Sequence, residues 1–232
     1  NPVPDPPPPP PPPAPPVEPE KSPENIITKV AMKDEEGNNI TEIRPDQGSM
    51  VKIIFDWHLP EGHTYKGGDT FTFDLPDKFK VDRLLDGPLT GDVGTFEVTP
   101  EGTVTFTFSE DVENDEFVGT FEVWRTFDES KFSGGTKQQI EFPFGETINV
   151  HFKANIREEM DKQGTAKKMN PSEIDWVVDF NKGEQKITGA TFQDSIPAGL
   201  ELVSSSVEVY ELEVMLGGGV REGRAVSVNT RA

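Results

Sequence analysis

The chain has 232 residues, enough for one large or two modest domains, and no cysteine, which excludes a disulfide framework, a thiolate metal site and a cysteine nucleophile. Asp and Glu number 42 against 22 Lys and Arg, a net charge of −20, which argues against nucleic acid and anionic membrane surfaces as partners. No apolar run approaches the roughly 18 residues of a membrane helix, so no membrane insertion is expected.

Residues 1–24 read as a disordered, extended linker. Pro6 to Pro13 is unbroken, and Pro2, Pro4, Pro15, Pro16, Pro19 and Pro23 flank it. Fixed φ and few amide donors hold such a run in polyproline II, a stiff spacer rather than a packed element. The chain opens at Asn1 without a basic region and apolar stretch, so any secretion signal is expected to have been removed.

From Asn25 the pattern becomes that of strands. Ile26 to Met32 is followed by the turn cluster Lys33 to Asn39 and by Ile40-Thr41-Glu42-Ile43. Val51, Ile53, Phe55 and Trp57 fall on one face of an alternating run; so do Phe71, Phe73 and Leu75, and Val104, Phe106 and Phe108. Phe117 to Trp124 and Ile148 to Phe152 repeat the theme. A period of two interrupted by Gly, Pro, Asp and Asn predicts antiparallel strands with one buried face. Thr99-Pro100-Glu101-Gly102 supplies a turn before one of them. Sixteen Phe against two Tyr and three Trp suit a sandwich core with few hydroxyls to satisfy. No convincing helical stripe exceeds two turns; the best candidate is a short turn near Ile156 to Lys162. The fold class is all-β, an immunoglobulin-like sandwich.

A boundary is expected near Glu158 to Asn170. Residues 25–158 hold one complete sandwich. Residues 159–232 begin with the polar run Asp161 to Lys168 and supply about four strands, too few for a seven-strand sandwich, so this second domain reads as incomplete. Leu216-Gly217-Gly218-Gly219-Val220 is a flexible turn, lacking the Lys-Ser/Thr and strand-to-helix setting of a phosphate loop.

Signals for turnover are weak. His58, His63 and His151 have no second His or carboxylate at ligand spacing, so no metal is expected. Asp34-Glu35-Glu36-Gly37-Asn38 lacks the calcium-loop spacing and its bidentate Glu. Ser204, Ser205 and Ser206 lack a Gly-x-Ser-x-Gly elbow. Trp57, Trp124 and Tyr65 could contact a ligand, but the two Trp read as core. No cofactor is implied, and the chain is not expected to be an enzyme.

Several segments carry a resemblance. In the first domain they are Gly68-Asp69-Thr70-Phe71-Thr72-Phe73-Asp74-Leu75-Pro76, Gly94 to Phe106, and Val118 to Val123. In the second they are Glu173-Ile174-Asp175-Trp176-Val177-Val178-Asp179-Phe180-Asn181 and Ala190-Thr191-Phe192-Gln193-Asp194-Ser195-Ile196-Pro197-Ala198-Gly199-Leu200. Together they resemble the immunoglobulin-like domains of Gram-positive surface adhesins of the collagen-adhesin type. The resemblance implies tandem variant immunoglobulin domains that can clamp a ligand between them. It further implies a host extracellular-matrix partner, collagen or fibrinogen, and a monomer on the cell surface, anchored to the wall through a region outside this chain. The alternative is a structural stalk or pilus-type module without its own ligand. Which residues touch a ligand is unknown from sequence.

The resemblance also implies an internal lysine-to-asparagine amide. Lys162-Gln163-Gly164 and Asp194-Ser195-Ile196 match the family's lysine and acid segments, so Lys162 and Asp194 are the candidate isopeptide lysine and acid. Trp176 and Phe180 would give the apolar shell that lowers a lysine pKa and raises a carboxyl's. Asn229 lies too soon after Asp194 to be the acceptor, which is expected outside the chain. The plainer reading stays open: Lys162 belongs to a solvated run with Lys167 and Lys168, and Asp194 caps a turn.

Overall fold

The computed structural model describes residues 25–80, 83–113, 115–167 and 172–226. The Pro-rich linker, Lys168 and Asn229 therefore lie outside the described residues. Among the described residues there is no α-helix. In chain order the strands are β1 (Ile27–Lys33), β2 (Met50–Leu59), β3 (Thr70–Asp74), β4 (Phe79–Lys80), β5 (Leu85–Pro88), β6 (Gly94–Val98) and β7 (Thr103–Phe108). They continue with β8 (Phe117–Phe127), β9 (Lys137–Glu141), β10 (Thr147–His151), β11 (Met160–Ala166), β12 (Ile174–Phe180), β13 (Val209–Val214) and β14 (Val220–Val226).

Two four-stranded antiparallel sheets, ordered β1-β2-β8-β4 and β3-β7-β6-β5, face each other, with the β9–β10 hairpin beside them. Alternation decides which side of each strand faces inward. In β2, Val51, Ile53, Phe55, Trp57 and Leu59 are fully buried while Lys52, Asp56 and His58 look outward. Phe55 sits at the centre, its ring 5.1 Å from Phe73 and 5.8 Å from both Phe121 and Phe142. Trp57 packs 6.3 Å from Phe106. Its indole lies over Gly119 of β8, where a Cβ would fall 2.3 Å from the ring. Glycine is required there because the Trp ring occupies the side-chain position of the opposing residue.

The β1–β2 connection differs from expectation. Ile40 to Ile43 forms a turn rather than a strand, and pairing there is limited to the bridge Lys33↔Asn39. Ile40 is nevertheless buried, because the turn folds back onto the core. Asp34 shapes this connection by accepting from the Glu36 and Asn38 amides.

Beyond β10 the chain forms two separate ribbons, β11–β12 and β13–β14. Where a short helical turn is expected, near Ile156 to Lys162, the chain instead enters strand β11, its residues paired one for one with β12 from Met160↔Phe180 to Ala166↔Ile174. Neither face of this ribbon is buried, and its apolar side chains stand largely in solvent: Trp176, Val177 and Phe180 are 48, 54 and 44% exposed.

Candidate functional site

The pairing of β11 with β12 sets Gly164 opposite Trp176 and Lys162 opposite Val178. Lys162 and Gly164, two residues apart, share one face of their strand. A Cβ on Gly164 would meet the Trp176 ring at 2.8 Å, so the missing side chain lets the indole lie across β11. The ring thereby reaches Lys162, whose Nζ is 4.6 Å from its centroid, a cation–π contact. Asp194 comes from the irregular segment after β12, and its Oδ2 accepts from Lys162 Nζ at 2.5 Å. Phe180 and Phe192 stack alongside, 6.1 Å apart.

The structure thus brings the two predicted site residues together with one of the expected aromatics, Trp176, while Phe180 stacks on Phe192. The turn-capping reading of Asp194 also has a local counterpart, since Oδ1 accepts from the Ser195 amide at 3.0 Å. Lys167 is engaged elsewhere, 3.2 Å from Glu173 and 3.3 Å from Asp175, which hold its ammonium above the usual lysine range.

The electrostatics is that of an ion pair. The Lys162 hydrogen bond holds the Asp194 carboxyl below the ordinary aspartate value, aided by charge attraction and the Ser195 amide and opposed by desolvation. Amide formation needs the reverse, a neutral amine beside a protonated acid. Both side chains are too exposed for that, at 34 and 45%. A carboxyl depressed in the folded state stabilises fully above its unfolded pKa, and that contribution disappears as pH falls through the folded value. The pair therefore supports the ribbon at neutral pH and loses that support below the usual aspartate range. Lys162→Met is expected to move the Asp194 titration midpoint up to the ordinary aspartate value, read by carboxyl ¹³C NMR; an unmoved midpoint would mean that the ion pair does not form in solution.

Of the other candidates, Trp57 is core, and Tyr65 packs 5.0 Å from Phe108. Trp124, expected in the core, is on the outer face of the β1-β2-β8-β4 sheet, 41% exposed, with Lys52 Nζ 5.3 Å from its ring. The reason is parity: Phe121, Val123 and Phe127 point inward, so Trp124 points out and Arg125 in. Arg125 is buried and donates to the Trp124 carbonyl at 2.8 Å. His58 pairs with Glu116 and His151 with Glu184. Among the described residues no group of three His, Asp or Glu is arranged to hold a metal ion.

Residues 44–138 match the family of bacterial Ig domains, and residues 157–231 match the family of collagen binding domains. No curated protein matches the chain. Among solved structures, that of the Enterococcus faecalis MSCRAMM ACE, described as binding its ligands by the collagen hug, is similar at 21% identity and a TM-score of 0.41. The likeness covers 67% of this chain and 53% of that one, so the chain spans about half the length of this relative. The chain thus carries a segment that matches bacterial Ig domains, followed by one that matches collagen binding domains.

Proposed function

We propose that the chain is the ligand-binding region of a bacterial surface adhesin and that its partner is collagen. The observation that carries this reading is the collagen-binding-domain match over residues 157–231. The role is adhesion without turnover. In this reading residues 1–24 are a spacer, 25–158 a complete immunoglobulin-like domain and 159–232 the beginning of a second. The exposed apolar side chains of the second segment support that division: Ile187, Phe192, Ile196, Leu202 and Val203 are each at least half exposed, the surface of a core still to be covered by further strands. The protein acts as a monomer and reaches the wall through a region outside this chain.

The same reading gives Lys162 and Asp194 a second role. Once later strands cover Trp176 and Phe180, desolvation disfavours both charges, neutralising the ion pair into amine and acid. The lysine nitrogen then attacks the carboxamide carbon of an asparagine in one of those strands, and ammonia leaves.

The test is surface plasmon resonance over immobilised collagen and fibrinogen. A chain extended through the remaining strands is expected to bind collagen saturably, the 232-residue chain weakly, and residues 25–158 not at all. Binding of residues 25–158 as tight as that of the extended chain would move the site onto the first sandwich. Saturable binding to fibrinogen alone would replace collagen as the partner. No binding to either, by a folded extended chain, would leave a stalk.

A further inference from the structure

Among the described residues, the sandwich and the ribbons that follow it meet at two places far apart in sequence. The first is the turn after β12. Asn181 and Glu184 both adopt left-handed backbone, with φ of 57° and 51°. Asn181 closes the turn with its side chain, accepting from the Gln185 amide at 2.8 Å and donating to the Gln185 carbonyl at 3.0 Å. Glu159 holds it from the other side, its carboxylate accepting from the Gly183 amide at 2.8 Å. A glutamate in left-handed backbone persists only where its surroundings over-determine it.

Here they do. Glu184 Oε2 accepts from Arg44 Nη2 at 2.8 Å, from Thr136 Oγ1 at 2.8 Å, and lies 3.0 Å from His151 Nε2. Arg44 precedes β2, Thr136 precedes β9 and His151 ends β10, so one oxygen gathers three separate parts of the sandwich. Arg44 is further committed, donating to the carbonyls of Phe152 and Gly183. The Glu184 side chain is only 20% exposed, where charge-assisted hydrogen bonds are strong and a missing partner is costly.

The second contact is the tip of the β13–β14 hairpin. Met215 bridges Gly135, the Thr136 amide donates to the Val214 carbonyl at 3.1 Å, and the Leu216 amide donates to the Gly134 carbonyl at 2.9 Å. Gln47 and Asn155 both donate to the Leu216 carbonyl, and the Leu216 side chain is buried in the sandwich core. Thr136 serves both contacts, its amide holding the hairpin and its hydroxyl holding Glu184. One contact would leave the ribbons free to swivel about it. The Glu184 contact and the covalent connection from β10 to β11 hold the β11–β12 ribbon at two points, and the hairpin contact holds the β13–β14 ribbon at its tip.

We propose that Glu184 is a positioning residue that locks the collagen-binding-domain segment in one orientation on the sandwich, with Arg44, Thr136 and His151 as its seat. The lock itself does not depend on collagen being the ligand; only its consequence for affinity does.

The absence of cysteine allows clean site-directed spin labelling of the 232-residue chain. Val118→Cys on β8 and Val203→Cys beyond β12, 74 and 59% exposed, report the distance between the two parts. Val118→Cys with Lys137→Cys reports the sandwich alone. Pulsed electron double resonance should give one narrow distribution for the first pair, at least two-fold broader in Glu184→Ala and Arg44→Ala, and no broader still in the double variant. The sandwich pair should be unmoved. An unchanged first pair in both single variants overturns the proposal. If both pairs broaden in Glu184→Ala, the isosteric Glu184→Gln decides: broadening of the first pair alone upholds the lock, while any other result overturns it. A chain that fails to bind collagen leaves the distance result standing, so the two readings fail separately.

Discussion

Replacing Phe55 with alanine is expected to lower the free energy of unfolding by about 3–5 kcal/mol, a large fraction of the roughly 5–15 kcal/mol of a typical domain. The ring is fully buried at the centre of β2 and touches aromatic side chains from both sheets and from the β9–β10 hairpin. Those neighbours sit on paired strands and cannot collapse into the space, so the loss combines transfer of the ring with the cavity it leaves. Urea unfolding followed by tryptophan fluorescence should show a lower midpoint with an unchanged slope. Trp124→Ala, on the outer face of the same sheet, is the contrast and should cost within about 1 kcal/mol. Equal losses from the two would mean that the inward and outward faces of the β1-β2-β8-β4 sheet have been assigned the wrong way round.

The second large effect belongs to a chain extended through the remaining strands of the second segment. Such a chain is expected to weigh about 17 Da less than its sequence mass, because amine attack on a carboxamide releases one ammonia. Lys162→Ala should restore the full mass, as should Asp194→Ala. Loss of the covalent tie should lower stability by about 2–4 kcal/mol, since a crosslink restricts the unfolded chain much as a disulfide does. The 232-residue chain should keep its full mass, with Lys162 and Asp194 held as an exposed ion pair. Full mass in the extended chain would end the crosslink proposal and leave the fold untouched. If Lys167→Ala abolished the mass loss and Lys162→Ala did not, the reactive lysine would be the one now paired with Glu173 and Asp175.

What was legible in the sequence follows the depth of burial. Strands β2, β3 and β7 bury one face completely and β8 nearly so, and their period of two could be read directly. At Val123-Trp124-Arg125 the same period overrides the expectation of a core Trp: Phe121 and Phe127 set the parity that turns Trp124 outward. The polar run from Asp161 gave no strand signal because β11 buries neither face, and pairing with β12 alone makes it a strand. Lys162 and Asp194 were legible only through family resemblance, since neither stands out by spacing. Glu184 was not legible at all. In the sequence it is one more acidic residue after Asn-Lys-Gly, and its three partners lie 140, 48 and 33 residues away.

Leu216, buried in the sandwich although it follows the last sandwich residue by more than sixty positions, has a consequence for the order of events during synthesis. The sandwich can pair all its own strands as soon as Phe152 has emerged, yet its slot for Leu216 is still empty. At about 5–20 residues per second, the leucine arrives roughly 3 to 13 seconds later, an age beside strand pairing. For that interval the nascent protein shows an apolar notch beside Gly134 and Gly135 with unpaired backbone at its rim.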